Sequence, residues 1–98
     1  MLSGTVLYLI AYDVSDDEVR ERVRRLLRDW GGERIQYSAF LLEASEVEVL
    51  QLMREVRRLL GPLRGKVVAI PICERDLRRV VTVAHDYELP DEEGGAIV

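Results

Sequence analysis

From Thr5 to Asp13 the chain is apolar on both alternating registers, with Val6, Tyr8, Ile10 and Tyr12 on one face of an extended segment and Leu7, Leu9 and Ala11 on the other. A period of two with no polar face predicts a central strand buried on both sides. After Val14 the period changes. Val19, Val23, Leu26, Leu27 and Trp30 recur at helical spacing and form one stripe. Ser15 followed by Glu18 reads as a capping box, and Asp16 and Asp17 fall where the helix dipole favours negative charge. Gly31-Gly32 supplies the stop.

Residues 33 to 44 return to alternation, with Ile35, Tyr37, Ala39 and Leu41 against Gln36, Ser38, Phe40 and Leu42. Twelve residues is long for one strand, so the segment predicts two strands joined by a tight turn near Tyr37 to Phe40. Ser45 and Glu48 form another capping box, opening a helix whose Val49, Leu52, Met53, Val56, Leu59 and Leu60 face the core before Gly61-Pro62 ends it.

The β-branched run from Lys66 to Cys73 contains Pro71, which cannot donate a ladder hydrogen bond and so assigns this strand to a sheet edge. Arg78 to Val83 predicts one more short strand. The order strand, helix, strand, strand, helix, strand is the α+β, ferredoxin-like βαββαβ pattern, here with an additional C-terminal strand. The expected organisation is one domain over residues 1–84 and an acidic, flexible tail over residues 85–98.

Composition excludes two classes. With 48% hydrophobic and 33% charged residues the chain is neither disordered nor membranous. Its apolar start has no basic leader and is far shorter than the ~20 residues of a membrane span, so a cytoplasmic protein without membrane association is expected. The single cysteine, Cys73, rules out an internal disulfide framework or a multi-cysteine zinc site in one chain.

The formal charge of -4 hides its distribution: residues 86 to 98 carry five acidic side chains and no basic one. Residues 1 to 85 carry 14 basic against 13 acidic side chains, and all but Lys66 of the bases are arginine. Arginine's planar fork suits bidentate contact with phosphate, although a GC-rich genome produces the same bias.

Candidate chemistry begins at Asp13, a carboxylate at a strand's carboxyl end beside a helix amino terminus rich in arginine. It reads either as a turn former or as a metal ligand. One carboxylate is too few for a protein-only metal cage, but magnesium keeps several waters and uses one or two carboxylates with substrate phosphates. A twofold dimer that brings two Asp13 side chains together would supply such a site. On a helical wheel Arg20 and Arg22 flank the apolar stripe, whereas Arg24, Arg25 and Arg28 point toward solvent. Arg20, Arg22 and Arg34 are therefore the candidate phosphate contacts near Asp13. Ser38 is the one serine in the turn, and Phe40, Tyr37 and Trp30 read as packing residues. The single histidine, His85, lies at the start of the tail, so no serine–histidine or cysteine–histidine arrangement is available.

Tyr12-Asp13-Val14 after the first strand, Arg20 and Arg22 early in the helix, Arg34-Ile35-Gln36-Tyr37-Ser38-Ala39-Phe40 after the double glycine, and Val68-Ala69-Ile70-Pro71-Ile72-Cys73 together resemble the CRISPR-associated Cas2 family. The resemblance runs to about Val83. It implies a homodimer in which each chain's fifth strand joins the partner's sheet. It also implies magnesium (or manganese) between paired aspartates, cleavage of RNA or DNA, and a role in spacer acquisition that bridges dimers of the Cas1 integrase. By position, Asp13 matches the family's metal aspartate, and Tyr12 is its strand neighbour. Arg20, Arg22, Arg34 and Phe40 match positions linked to substrate handling or to the surround of the site.

Other readings use the same fold. A structural adaptor would keep the arginines on a nucleic-acid backbone with Asp13 as a turn residue, and a toxin-type RNA interferase would share the catalytic pattern. A small-molecule regulatory module lacks a visible ligand loop, and an acylphosphatase-like enzyme would need an asparagine, which the chain does not contain.

Overall fold

In a computed structural model, residues 4–89 are described. The elements are β1 (Val6–Val14), α1 (Asp17–Asp29), β2 (Glu33–Gln36), β3 (Ala39–Ala44), α2 (Glu46–Leu60), β4 (Gly65–Ile72) and a four-residue α3 (Glu74–Leu77). The four strands form one antiparallel sheet in the order β2-β3-β1-β4, the ferredoxin-like arrangement predicted from the pattern. Pro71 lies on the edge strand β4, opposite Tyr8.

β1 is central, but only one of its faces is buried. Tyr8, Ile10, Tyr12 and Val14 lie in the core with Val19, Val23 and Leu27 of α1 and Val49, Leu52 and Val56 of α2. Leu7, Leu9 and Ala11 on the opposite face are only half-buried. The expectation of burial on both sides is thereby corrected: both long helices pack on the same face, and alternation reports apolarity without saying what covers it.

The helix ends follow local chemistry. α1 is capped by Asp16 rather than Ser15, its Oδ1 accepting from the Val19 amide at 2.9 Å. Both residues are good caps, and the chain turns one position later than the Ser15–Glu18 spacing predicts. At the other end the Gly31 amide donates to the Arg28 carbonyl and the Gly32 amide to that of Leu27, each at 2.9 Å, with Gly31 at φ +92°. This is the paired closure of a Schellman motif. α2 carries the predicted capping box in full: Glu48 N–H donates to Ser45 Oγ at 3.1 Å and Ser45 N–H to Glu48 Oε1 at 2.8 Å.

β2 and β3 form a hairpin across the two-residue turn Tyr37-Ser38, with a bulge between Arg34 and Gln36. The additional strand predicted from Arg78 to Val83 is not a strand among the described residues. The chain instead makes α3, after which Val80, Val81 and Val83 stand exposed with no ladder partner among the described residues. β-branched composition supplies strand propensity, but a run becomes a strand only where it pairs with a neighbour, and this one pairs with neither edge of the sheet, β2 or β4. Of the predicted tail, residues 85–89 are described and residues 90–98 lie outside the described residues. No helix among the described residues is long and apolar enough to cross a membrane.

Candidate nucleic-acid interface

The carboxyl end of β1 carries two different surfaces, because consecutive strand residues face opposite ways. Tyr12 points under α1 and is 4% exposed, whereas Asp13 is exposed on the open face of the sheet. In register with Asp13 on β4 is Lys66, so the two side chains share that face. Among the described residues no group of three or more histidine, cysteine or acidic side chains could hold a metal ion. Beside Asp13, a divalent ion would draw on water, substrate oxygens and at most one or two further carboxylates, a donor set that suits magnesium.

On the helix side, the end of β1, the early turns of α1 and the β2–β3 turn enclose a cavity of about 230 Å³ lined by Tyr12, Arg20, Glu21, Arg24, Arg34, Tyr37 and Ser38. The Tyr12 hydroxyl donates to the Tyr37 carbonyl at 2.9 Å, and the Tyr12 amide donates to the Ser38 carbonyl at 3.0 Å. Arg34 Nη2 also donates to the Tyr37 carbonyl at 2.9 Å, and its guanidinium lies 5.7 Å from the centre of the Tyr37 ring. The turn is thus held by a buried tyrosine from one strand and an arginine from its own hairpin.

Arg20 is anchored at the helix start, where Nη1 donates to the Val14 carbonyl at 2.9 Å and Nη2 pairs with Asp17. Arg24 departs from the sequence expectation. Rather than pointing to solvent it is 7% exposed and pairs with Glu21 inside the cavity wall. The Arg24 hydrogen bond, with smaller charge contributions from Arg24, Arg25 and Arg34, holds the Glu21 carboxyl below its ordinary value despite some desolvation.

The structure therefore gathers Tyr12, Arg20, Arg34 and Ser38 of the predicted site into one cavity and leaves the others apart. Arg22 pairs with Glu18 at 3.4 Å on the outer surface of α1. Phe40 is 1% exposed, a core residue with its ring centre 6.2 Å from that of Tyr12. Asp13 lies across the sheet. Sequence reading missed Arg24, Glu21 and Lys66. The Glu21–Arg24 spacing is visible in the chain, but it describes ordinary helix surface until the hairpin turn is known to close over it. Tyr37, read as packing, is 54% exposed and meets Tyr87 edge-on with ring centres 5.7 Å apart, its amide donating to the Tyr87 hydroxyl at 3.1 Å.

A sheet of this strand order, helix-covered on one face and bearing an arginine-lined cavity at the end of its central strand, defines a ferredoxin-like domain. The chain belongs to the CRISPR-associated Cas2 family: residues 6–80 match the family described as CRISPR associated protein Cas2. A curated relative from Desulforudis audaxviator, named CRISPR-associated endoribonuclease Cas2, is 32% identical over 92% of this chain and 85% of its own length. The crystal structure of a hypothetical protein from Thermus thermophilus superposes with a TM-score of 0.70 at 33% identity, covering 90% of this chain and 100% of that one. A chain in a partial Cas6-RT-Cas1–Cas2 complex shares the fold, with a TM-score of 0.70 at 20% identity over 91% of this chain and 97% of that one.

Proposed function

We propose that this protein acts as a homodimer that binds nucleic acid in CRISPR adaptation and hydrolyses phosphodiesters at a magnesium centre built on Asp13 from both subunits. The observation that carries the reading is the position of Asp13: exposed, at the end of the central strand, on the same open face as Leu7, Leu9 and Ala11. A second copy laid against that face would cover the half-buried apolar side chains and bring two Asp13 carboxylates toward one axis. The curated relative named an endoribonuclease supports nuclease chemistry, and the neighbouring fold in a Cas1-containing complex supports Cas1 as a partner.

In this reading the Asp13 carboxylates hold the ion, and Lys66 opposite Asp13 adds positive charge for a scissile phosphate. Magnesium or manganese, when bound, supplies a Lewis acid for a phosphoryl oxygen and lowers the pKa of a water. Arg20 and Arg34, at the same end of the sheet, neutralise neighbouring phosphates, and Arg22 on the outer surface of α1 extends that track. Hydrolysis by a metal-activated water needs no histidine base.

The decisive assay incubates the purified dimer with RNA and DNA, single- and double-stranded, with and without magnesium. Metal-dependent cleavage that disappears in Asp13→Ala is the expected result, and cleavage identical in wild type and Asp13→Ala would remove the nuclease. A structural-adaptor reading has one observation of its own. Lys66 stands in register with Asp13 across the strand pair, so cross-strand charge complementarity gives the aspartate a role without any ion. In that case Asp13→Ala leaves binding to the Cas1 integrase and to DNA intact while no cleavage is found in either protein.

A further inference from the structure

The open face of the sheet is not bare. β4 ends at Ile72, paired with Leu7 near the start of β1, and the chain beyond α3 runs to Tyr87, which meets Tyr37 at the hairpin turn beside the end of β1. Residues 78–87 therefore span that face from one end to the other. Between this segment and Leu9, Ala11 and Leu41 of the sheet lies a groove of about 770 Å³. The segment buries little of itself: Val80, Val81 and Val83 are 60%, 88% and 95% exposed. Among the described residues, a single hydrogen bond ties residues 81–89 to the rest of the chain, from the Tyr37 amide to the Tyr87 hydroxyl at 3.1 Å. The two rings meet edge-on with centres 5.7 Å apart, and Asp86, at φ +51°, lies in the bend just before Tyr87.

We propose that residues 78–87 form an autoinhibitory strap, latched by Tyr87 on Tyr37, which keeps a second copy off the open face until the latch releases. The strap rests on the homodimer reading, in which a second copy covers that same face. Two sheets packed face to face lie about 10 Å apart, a space filled by their interdigitating side chains. A backbone segment standing across the face occupies that space, so strap and second sheet exclude each other. A permanent cover would bury its β-branched side chains, whereas these valines stand exposed and a groove remains beneath the segment. What holds its far end is one hydrogen bond and one aromatic pair, contacts whose combined strength favours the latched state about tenfold. A latched chain keeps its Asp13 exposed but alone, so release of the strap precedes assembly of a two-carboxylate site.

Analytical ultracentrifugation over a range of concentrations gives the dimer dissociation constant of wild type, Tyr87→Phe and Tyr87→Ala. Tyr87→Ala, without ring or hydroxyl, should tighten it about tenfold or more, because the pairing-competent form is no longer the minor one. Tyr87→Phe, which keeps the ring, should fall between. Amide hydrogen exchange in dilute, monomeric samples reads the latch itself. The Tyr37 amide should exchange faster in Tyr87→Phe than in wild type, while the Tyr12 amide, bonded to the Ser38 carbonyl at 3.0 Å, stays unchanged. A wild type that dimerises as tightly as Tyr87→Ala, or more tightly, overturns the strap and leaves the homodimer standing. Equal exchange at Tyr37 in wild type and Tyr87→Phe shows that no latch is made and overturns it as well. A wild type that stays monomeric while Tyr87→Ala dimerises supports the strap. Monomers at every concentration in all three proteins remove both the strap and the homodimer reading.

Discussion

Tyr12 and Asp13 are adjacent in the chain and project from opposite faces of the sheet, the first 4% exposed under α1 and the second open to solvent opposite Lys66. The end of the central strand thereby serves two environments at once. Its even-numbered face braces the arginine cavity, and its odd-numbered face presents a carboxylate where another chain can approach. Substitutions at these neighbours should consequently have unrelated effects.

Tyr12→Phe removes the hydroxyl that donates to the Tyr37 carbonyl and leaves the ring against Phe40. Loss of one part-buried hydrogen bond should cost about 1 kcal/mol in urea unfolding. Arg34 also donates to that carbonyl, so the turn keeps one tie and nucleic-acid affinity should fall less in Tyr12→Phe than in Arg34→Gln.

Arg24 and Arg25 are consecutive arginines with different surroundings, side chains 8% and 50% exposed. Arg24→Ala should lower stability by about 1–2 kcal/mol through lost packing and the lost Glu21 contact. Arg25→Ala should stay within about 0.5 kcal/mol of wild type. Equal effects in parallel denaturant titrations would contradict the burial of Arg24.

Glu21 gives a pH test of the same pair. Its folded-state pKa lies below the ordinary 4.5, so its contribution to stability is present above that value and is lost as pH falls through the folded value. The unfolding midpoint of wild type should exceed that of Glu21→Gln at neutral pH, and the gap should close on acidification below about pH 4.5. A gap that widened in acid would reverse the sign of the assigned contact.

Much of this was readable in the chain wherever the deciding interactions are local. Ser45 and Glu48 cap α2 through partners three residues away, Gly31-Gly32 closes α1 within one turn, and Pro71 announces an edge. Asp16 displaced Ser15 as a cap because two good caps in succession leave the spacing ambiguous. The surroundings of Arg24 depend on a hairpin turn more than ten residues downstream, which no helical wheel contains. The run from Arg78 to Val83 has strand composition, but the described chain offers it no ladder partner. For the same reason the second face of β1 reads as core in the sequence and stands half-open in the single chain.

Gly32 tests the junction between α1 and the hairpin. A Cβ there would meet the Leu27 carbonyl oxygen at 2.8 Å and Phe40 Cδ2 at 3.1 Å, so either the helix end or the buried ring must move. Gly32→Ala should destabilise by about 1–3 kcal/mol, the range of overpacked sites, with a lower midpoint and an unchanged slope in urea. Wild-type stability in that variant would show that the junction yields freely.

In the proposed function, two Asp13 carboxylates, one from each subunit, hold a single ion. Wild-type and Asp13→Ala chains are unfolded together in varying proportions, refolded so that dimers form at random, and assayed for magnesium-dependent cleavage at constant total protein. If both carboxylates are required, activity falls as the square of the wild-type fraction, because a dimer with one altered chain is inactive. Activity that falls in direct proportion to the wild-type fraction would mean that each Asp13 works alone, and the shared metal centre would be wrong.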